Sequence, residues 1–318
     1  MKSGIAIGVD LGGTNLKMGL VSENGDILFE LNKGTNAQAG PEFIFSQIEK
    51  GIADLLEKVG EDAVNGIGVG VPGTVYTEKG IVSYPPNLPG WKEEPVRDRF
   101  RSKFNVPVFV ENDANVAALA EKAHGAGKGA NHLICITLGT GVGSGLILNG
   151  KLYHGAVGAA GEFGHTTINY EGPRCNCGNY GCIERYVGAQ SIVERALNKF
   201  NKYPDSTLKA YTDRAEEITP KLINQLAAAG DRLSEETLRE TGELLGIALV
   251  SVVNLLNLEL IVIAGGIANA GEILFEPIRQ KISRLALPLP GQLVKVVKAQ
   301  MGDRSGVIGA AHLVFENN

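Results

Sequence analysis

The stretch GIAIGVDLGGTNLKMGLVSENGDILFEL, residues 4–31, contains the pattern from which the fold can be predicted. An apolar run leads into a glycine turn and a second apolar run follows. The Asn24-Gly25 pair that comes next is typical of a tight β-hairpin turn. A third run, DILFEL, closes the stretch. The pattern therefore predicts three consecutive antiparallel strands at the start of the chain.

The same pattern returns in HLICITLGTGVGSGLILNGK, residues 132–151, which has a glycine turn and its own Asn149-Gly150 pair. Two copies far apart in the chain indicate an internal duplication rather than a solenoid, because solenoid repeats have a short period. Apolar residues recur at helical spacing over residues 41–59, and the run VPVFVEN reads as a buried strand followed by a helix, ANVAALAEKAHG. The fold class is therefore predicted to be α/β.

A chain of 318 residues has room for two domains of ordinary size, and two domains usually enclose a cleft. We predict a smaller α/β domain from residues 1–115 plus 302–318. The larger α/β domain would span residues 116–301 and carry the cysteine-rich loop described below.

Composition and charge exclude several classes of protein. The chain is 44% hydrophobic and 20% charged, with a net charge of −5 and no cluster of Lys and Arg, so nucleic acid is not an expected partner. No run approaches the ~20 apolar residues of a membrane span. The N-terminal apolar run is broken at Asp10, before it reaches the length of a signal-peptide core. We expect a cytoplasmic protein with no membrane partner.

Three glycine turns each follow an apolar strand: residues 10–15 (DLGGTN), 138–145 (LGTGVGSG) and 264–271 (AGGIANAG). Glycine lets backbone N–H groups approach a phosphate, so three such turns would suit a nucleotide, although each one alone is better explained as an ordinary turn. The Walker pattern is absent, and the second turn leads into a strand, whereas a dinucleotide fingerprint opens a helix. A Rossmann dehydrogenase is therefore disfavoured.

Asp113 follows the strand VPVFVEN and begins the next helix. Aspartate is a favoured N-cap residue, so a capping role would explain it. The carboxyl end of a strand is also where open α/β sheets bind ligands, and Glu111, Asn112 and Asp113 stand there together. The spacing leaves a helix cap and a catalytic carboxylate equally open.

Three of the four cysteines lie within eight residues, and a histidine precedes them: His165, Cys175, Cys177 and Cys182. A Cys₃His set has the ligand number of a closed tetrahedral zinc site. A disulfide would leave an odd thiol, C-x-C neighbours bond poorly to each other, and a reducing compartment disfavours the bond. Zinc is therefore predicted ahead of free structural thiols. We interpret the remaining cysteine and histidines as structural: Cys135, His124, His132, His154 and His312.

Four motifs taken in order, DLGGTNLK, the run from Leu138 to His165, CNCGNYGCIE and AGGI, resemble those of the ROK family of sugar kinases. Within that family they are most similar to the motifs of bacterial glucokinases, and the likeness runs essentially end to end. It implies a duplicated actin-like, ribonuclease-H-type fold with ATP and a hexose held in an interdomain cleft. It also implies ATP-dependent phosphorylation of glucose to glucose 6-phosphate by a homodimer, with N-acetylmannosamine, mannose or fructose as the alternative substrate.

The resemblance further implies a role for each motif residue. Asp113 would be the general base for the 6-hydroxyl of the sugar. Substrate hydroxyls would be held by Asn87, Asn112, Asp113, Glu162, His165 and Glu184. The nucleotide would lie against Asp10, Gly12, Gly13, Thr14, Asn15, Lys17, Gly139, Thr140, Gly141, Gly265 and Gly266.

Two metals are implied as well. Zinc would take one ring nitrogen of His165 and leave the other facing the sugar, and with four protein ligands its role would be structural. Mg²⁺ would accompany ATP, with Asp10 as the nearest carboxylate. Sugar-responsive repressors of the family carry a DNA-binding helix-turn-helix before the first strand. That strand is predicted about four residues into this chain, so an enzyme is expected rather than a regulator.

Overall fold

The computed structural model describes residues 4–85 and 87–317. The strands that it describes are β1 (Ile5–Leu11), β2 (Asn15–Ser22), β3 (Ile27–Gly34), β4 (Val64–Val71), β5 (Thr74–Tyr76), β6 (Ile81–Ser83), β7 (Glu93–Glu94), β8 (Val108–Asn112), β9 (Leu133–Leu138), β10 (Val142–Leu148), β11 (Lys151–Leu152), β12 (Leu260–Ala264) and β13 (Lys295–Lys298). The α-helices are α1 (Pro41–Val59), α2 (Val96–Arg101), α3 (Asp113–His124), α4 (Glu184–Val187), α5 (Ala189–Leu197), α6 (Pro220–Ala228), α7 (Arg232–Leu256), α8 (Glu272–Leu285), α9 (Pro288–Leu293) and α10 (Ser305–Glu316).

The two large sheets repeat one strand order, which confirms the predicted duplication. The first runs β3-β2-β1-β4-β8 and the second β11-β10-β9-β12-β13, so each places three successive strands before two later ones. In the first sheet the β1–β2 and β2–β3 pairs are antiparallel, while β4 is parallel to both β1 and β8. In the second, β12 is parallel to both β9 and β13. The other described strands form a small third sheet in the order β5-β6-β7.

The chain forms two compact units. The first comprises Met1–Gly129, Gly145–Gly161 and Gln300–Asn318, and the second Ala130–Ser144 and Glu162–Ala299. These limits differ from the predicted ones, because the predicted boundary at residue 115 falls inside α3, and all of α3 groups with the first unit. The helix stays with that unit because it packs along α10 and against β4 and β8.

Alternation along β1 builds a core on each face of the first sheet. Ile7 and Val9 belong to the core that α1 also lines, whereas Ala6 points into a second core with Val307 of α10. The second core is thin, because α10 lies almost on the strands. A Cβ at Gly68 of β4 would stand 1.7 Å from the carbonyl oxygen of Ala310, so only glycine fits there. No helix of the described residues is both long and apolar enough to cross a bilayer.

Glu121 of α3 is a fully buried carboxylate that binds backbone N–H groups of the turn after its own helix and of a distant segment of the first unit. Its oxygens accept hydrogen bonds from the N–H groups of Ala126 (2.8 Å), Gln300 (2.9 Å) and Met301 (2.7 Å). Buried N–H groups need hydrogen-bond acceptors, and the carboxylate of Glu121 is the acceptor for all three. Glu121 therefore ties the turn after α3 to the segment that leads into α10.

We predict that Glu121→Gln lowers the free energy of unfolding by about 1.5–3 kcal/mol, the usual contribution of hydrogen bonds to a charged group. Glutamine keeps the shape but turns an NH₂ group toward backbone donors. Urea unfolding should show the loss as a lower midpoint. Glu30→Gln, at an exposed position of β3, is the matched control and should leave the midpoint unchanged. Equal midpoints for the two variants would contradict the assigned role of Glu121.

Candidate functional site

Parallel pairing brings the carboxyl ends of β1, β4 and β8 to one edge of the first sheet. Asp10 of β1 pairs in register with Gly70 of β4, and Val71 of β4 pairs with Asn112 of β8. Asp113 follows directly as the first residue of α3. The charge of Asp113 acts on the carboxyl group of Asp10, so the two aspartates form one acidic site.

Asp10 lies against the first turn of α10, where Gly306 leaves room for its carboxylate. A Cβ at residue 306 would stand 2.2 Å from Cγ of Asp10. Burial, followed by the charge of Asp113, raises the pKa of Asp10 to about 6, although Lys17 acts in the opposite direction. The Nζ of Lys17 also donates a hydrogen bond to the carbonyl oxygen of Asp303 (2.9 Å). Ionised Asp10 is therefore held in surroundings that disfavour its charge.

We predict that Asp10→Asn stabilises the protein at alkaline pH. The folded pKa lies above the usual 3.8, so protonated Asp10 favours folding below 3.8, and that contribution is lost as the pH rises through about 6. The rise from 3.8 to about 6 corresponds to at most roughly 3 kcal/mol. Asn carries no charge, so at pH 8 the free energy of unfolding of the Asp10→Asn variant should exceed that of the wild type by up to this amount.

The measurement is urea unfolding at pH 8 and pH 5 in the absence of nucleotide and Mg²⁺. The difference between the variant and the wild type should shrink at pH 5, where Asp10 is mostly protonated. Asp62→Asn, at an exposed position of the same unit, is the control and should show no such difference. Identical stabilities of Asp10→Asn and wild type at pH 8 would contradict the prediction.

The N-cap of α3 is Asn112 rather than Asp113. The Oδ1 of Asn112 accepts hydrogen bonds from the N–H groups of Ala114 (2.9 Å) and Asn115 (3.2 Å), and its Nδ2 donates to the carbonyl oxygen of Gly73 (3.0 Å). Asp113 is the first helical residue, and its Oδ1 accepts from the same Ala114 N–H (2.8 Å). The spacing left two roles open for Asp113, a helix cap and a catalytic carboxylate. The capping role is filled mainly by its neighbour Asn112.

The turn between β1 and β2 carries the first predicted phosphate motif. Its backbone is closed by a hydrogen bond from the N–H of Gly12 to the carbonyl oxygen of Asn15 (2.8 Å). Asn87 packs against this turn, since a Cβ added at Gly13 would stand 2.8 Å from the Cβ of Asn87. The first unit therefore brings a predicted sugar-binding residue beside a predicted nucleotide-binding turn.

In the second unit the turns after β9 and β12 lie side by side. Ala264 pairs in register with Thr137, and the next residue, Gly265, has a φ of 89°. A Cβ at Gly265 would stand 2.1 Å from the carbonyl oxygen of Leu138, so the position requires glycine. This approach brings together five of the residues predicted to bind nucleotide: Gly139, Thr140, Gly141, Gly265 and Gly266.

The four predicted metal ligands also meet in the second unit. One ligand atom from each of His165, Cys175, Cys177 and Cys182 lies within 4.8 Å of the others. The cysteines are free, and the Sγ atoms of Cys177 and Cys182 are 3.6 Å apart, well beyond the ~2.05 Å of a disulfide bond. This donor set fits a tetrahedral cation such as zinc.

The thiols of this cluster differ in acidity. Burial raises the pKa of Cys182 to about 12, whereas a backbone hydrogen bond from Asn179 lowers the pKa of the exposed Cys177. Metals bind the thiolate form of cysteine. Cation binding should therefore release protons and strengthen as the pH rises.

The ring of His165 has two distinct sides. Its Nδ1 lies 3.7 Å from Sγ of Cys175, and its Nε2 lies 4.0 Å from Oε2 of Glu162. The side of the ring that carries Nδ1 therefore faces the cysteines, and the other side faces a residue predicted to bind sugar. The division of the two ring nitrogens between zinc and sugar stays a prediction.

Glu184 joins the cysteine cluster to the glycine turn after β9. Its Oε2 accepts a hydrogen bond from the N–H of Val142 (3.0 Å), and its Oε1 lies 3.9 Å from Sγ of Cys175. A Cβ at Gly141 would stand 2.6 Å from the same Oε2. The sequence predicted a sugar contact for Glu184, but gave no indication of its contact with the predicted nucleotide turn.

The predicted residues divide between the two units. The first unit holds Asp10, Gly12, Gly13, Thr14, Asn15, Lys17, Asn87, Asn112 and Asp113. The second holds Gly139, Thr140, Gly141, Glu162, His165, Cys175, Cys177, Cys182, Glu184, Gly265 and Gly266.

Two features of the first unit lie outside the predicted set. One is Gly306 against Asp10, and the other is His154, whose Nε2 lies 2.6 Å from Oε2 of Glu111. The sequence analysis noted Glu111 beside Asn112 and Asp113 at the strand end, but assigned it no role of its own. His154 had no such signal, because its contact joins residues that are 43 positions apart.

The chain is similar to known proteins over nearly its whole length. The ROK family profile matches residues 6–317. Glucokinase of Thermotoga maritima is 36% identical over 310 residues, which cover 98% of this chain and 97% of that protein. A xylose repressor of Caldicellulosiruptor bescii is 32% identical over 318 residues, covering 99% of this chain but 79% of the repressor.

Among solved structures, a ROK family glucokinase from Streptomyces griseus, in complex with glucose and AMPPNP, has a TM-score of 0.84 and 34% identity. The likeness covers 98% of this chain and 100% of that one, which confirms the predicted actin-like fold class. The chain therefore belongs to the ROK family.

Proposed function

We propose that the protein is a glucokinase, which transfers the γ-phosphoryl group of ATP to the 6-hydroxyl of glucose. The observation that carries this proposal is the position of Asp113 at a strand end beside Asp10, while Asn112 caps α3. The start of the helix does not require a carboxylate at residue 113, so a chemical role explains it better. The names of the T. maritima and S. griseus relatives support glucose as the substrate.

Asp113 acts as the general base. Its carboxylate accepts the proton of the 6-hydroxyl while the hydroxyl oxygen attacks the γ-phosphorus, and ADP leaves with the electrons of the broken P–O bond. General-base catalysis of this kind is typically worth ~10²–10⁴ in rate. The rest of phosphoryl transfer depends on positioning and on stabilising charge.

Substrate and nucleotide contacts follow from the motif residues. We assign the sugar hydroxyls to Asn87, Asn112, Glu162, His165 and Glu184. We assign the nucleotide to the glycine turns, whose backbone N–H groups suit phosphate oxygens. The Nε2 of His165, on the side of the ring away from the cysteines, supports a sugar contact for that residue.

Two cations complete the proposal. An ATP-dependent kinase requires a divalent cation such as Mg²⁺ to neutralise phosphate charge, and Asp10 is the carboxylate that we assign beside it. The Cys₃His cluster would hold zinc. Because all four ligands come from the protein, the cluster offers no open position for water, and a structural role follows.

A substrate panel tests the proposal. Purified protein should phosphorylate glucose with Mg-ATP at a higher kcat/KM than mannose, fructose or N-acetylmannosamine. A tenfold preference for one of the others would identify the enzyme as a kinase for that hexose. Sugar binding without phosphorylation of any of them would instead indicate a regulator.

We also propose that the enzyme is a homodimer, as expected from the family resemblance. Sedimentation velocity at micromolar concentration should give a mass of twice the 33.6 kDa chain. A species with the mass of one chain would contradict this.

A further inference from the structure

Glu111 is a buried carboxylate that binds one residue on each side of the proposed base. Its side chain is only 3% exposed, and Oε1 accepts hydrogen bonds from the N–H of Asn112 (2.8 Å) and from Nδ2 of Asn115 (2.9 Å). Asn112 precedes Asp113 at the strand end, and Asn115 follows it in the first turn of α3. One carboxylate oxygen therefore holds the backbone on one side of Asp113 and a side chain on the other.

The second oxygen of Glu111 is engaged by a histidine from a distant part of the first unit. The Nε2 of His154, which follows β11, lies 2.6 Å from Oε2 of Glu111. A buried carboxylate that loses its partner is left with an uncompensated charge, and it relaxes by moving or by taking up a proton. Either response would disturb the two hydrogen bonds to Asn112 and Asn115.

We propose that Glu111 and His154 form a positioning pair that fixes the orientation of the Asp113 carboxylate for proton transfer. This inference rests on the proposed function, because it gives a purpose to the rigidity around Asp113. Misplacement of a reacting group by about 1 Å can cost a hundredfold in rate, so a pair that never touches substrate can still affect kcat. Neither residue belongs to the set that we assign to sugar, nucleotide or metal.

A cavity gives access to this pair from one side. It has a volume of about 1140 Å³, lies within the first unit, and is lined by both Glu111 and His154. The other charged side chains that line it are Glu78, Arg97, Arg101, Lys151 and Glu316. Its size admits a small molecule such as imidazole, which could take the place of a deleted histidine ring.

The hydrogen bond to Glu111 raises the pKa of His154 above its usual value, and the charge of Glu316 acts in the same direction. Protonated His154 binds the carboxylate through a charge-assisted hydrogen bond, which is stronger than the bond from neutral imidazole. The contribution of His154 should therefore be largest below about pH 6.5 and decline as the pH rises through the raised pKa.

The test compares His154→Ala and His154→Gln with the wild type. We expect His154→Ala to lower kcat for glucose by roughly tenfold to a hundredfold with less than about a threefold change in KM, and added imidazole to restore much of the loss. Gln keeps a donor but no charge, so the ratio of wild-type kcat to that of His154→Gln should fall toward one between pH 6.5 and pH 9. His124→Ala, at the far end of α3, is the control and should respond to neither imidazole nor pH in this way.

Hydrogen exchange gives a readout that does not depend on the substrate. In His154→Ala the backbone N–H of Asn112 should exchange faster than in the wild type, and imidazole should slow it again. Unchanged kcat and unchanged exchange in His154→Ala would overturn the positioning pair, as would a loss of kcat that imidazole cannot restore in folded protein. If the wild type phosphorylates no sugar, but the backbone N–H of Asn112 still exchanges faster in His154→Ala than in the wild type, the proposed glucokinase function is wrong. The pairing of Glu111 with His154 would still be supported.

Discussion

Replacing Asp113 by Asn should lower kcat at saturating glucose and Mg-ATP by about two to four orders of magnitude, the usual contribution of a general base. Asn has nearly the same shape as Asp but cannot accept the proton of the 6-hydroxyl. Glucose binding, measured by calorimetry without ATP, should survive in weakened form, because the other residues assigned to sugar are unchanged. The effect should therefore fall on kcat rather than on binding.

Stability separates this chemical role from a structural one. Because Asn112 is the N-cap of α3, Asp113→Asn should stay within about 1 kcal/mol of the wild type in free energy of unfolding. Asn112→Ala is the matched variant, and it should cost about the 0.5–2 kcal/mol of a lost cap. If Asp113→Asn keeps more than about a tenth of wild-type kcat, the base lies elsewhere.

Loss of the metal should be the second large effect. We expect about one zinc per chain by elemental analysis, and Cys177→Ser should lose most of it, because serine replaces one of the four ligands with a weak donor. A cation present at a thousand times its dissociation constant stabilises the folded state by about 4 kcal/mol. In a domain of ordinary size, the loss of about 4 kcal/mol in the free energy of unfolding corresponds to a fall in melting temperature of roughly 8–16 °C.

The fourth cysteine provides the control for this experiment. Cys135 is buried in β9 outside the cluster, so Cys135→Ala should retain zinc even though it removes core contacts. Chelation of the wild type should reproduce the thermal shift of Cys177→Ser, and it should have little further effect on the variant. Wild-type protein without zinc, or with a disulfide between Cys177 and Cys182, would contradict the prediction.

Local patterns in the sequence were sufficient for most of the fold. The helix predicted over residues 41–59 is α1 (Pro41–Val59), and the strand and helix read on either side of Asn112 are β8 and α3. These elements could be predicted because a strand or an amphipathic helix shows its period over a few adjacent residues. The Cys₃His set was equally readable, because three of its four members lie within eight residues.

Side-chain contacts were a different matter. The spacing around Asp113 could not separate a cap from a base, because the choice depends on whether the side chain of Asn112 reaches the N–H groups of Ala114 and Asn115. Residues 302–318 were predicted to belong to the smaller domain, but no local pattern indicated how closely the last helix approaches the sheet. Glycines in β1 and β4, such as Gly68, let it lie almost on the first sheet.

The sequence by itself thus determined the elements named above, the duplication and the family, and it predicted the Cys₃His cluster that the fold brings together. Each of these is recorded in residue types at short, regular spacing, where backbone sterics and side-chain chemistry act on near neighbours. Only the tertiary structure decided that Gly306 makes room for Asp10, that Glu121 binds the segment before α10, and that His154 pairs with Glu111. Those contacts join residues far apart in the chain, and their energies depend on burial and distance, which no local pattern specifies.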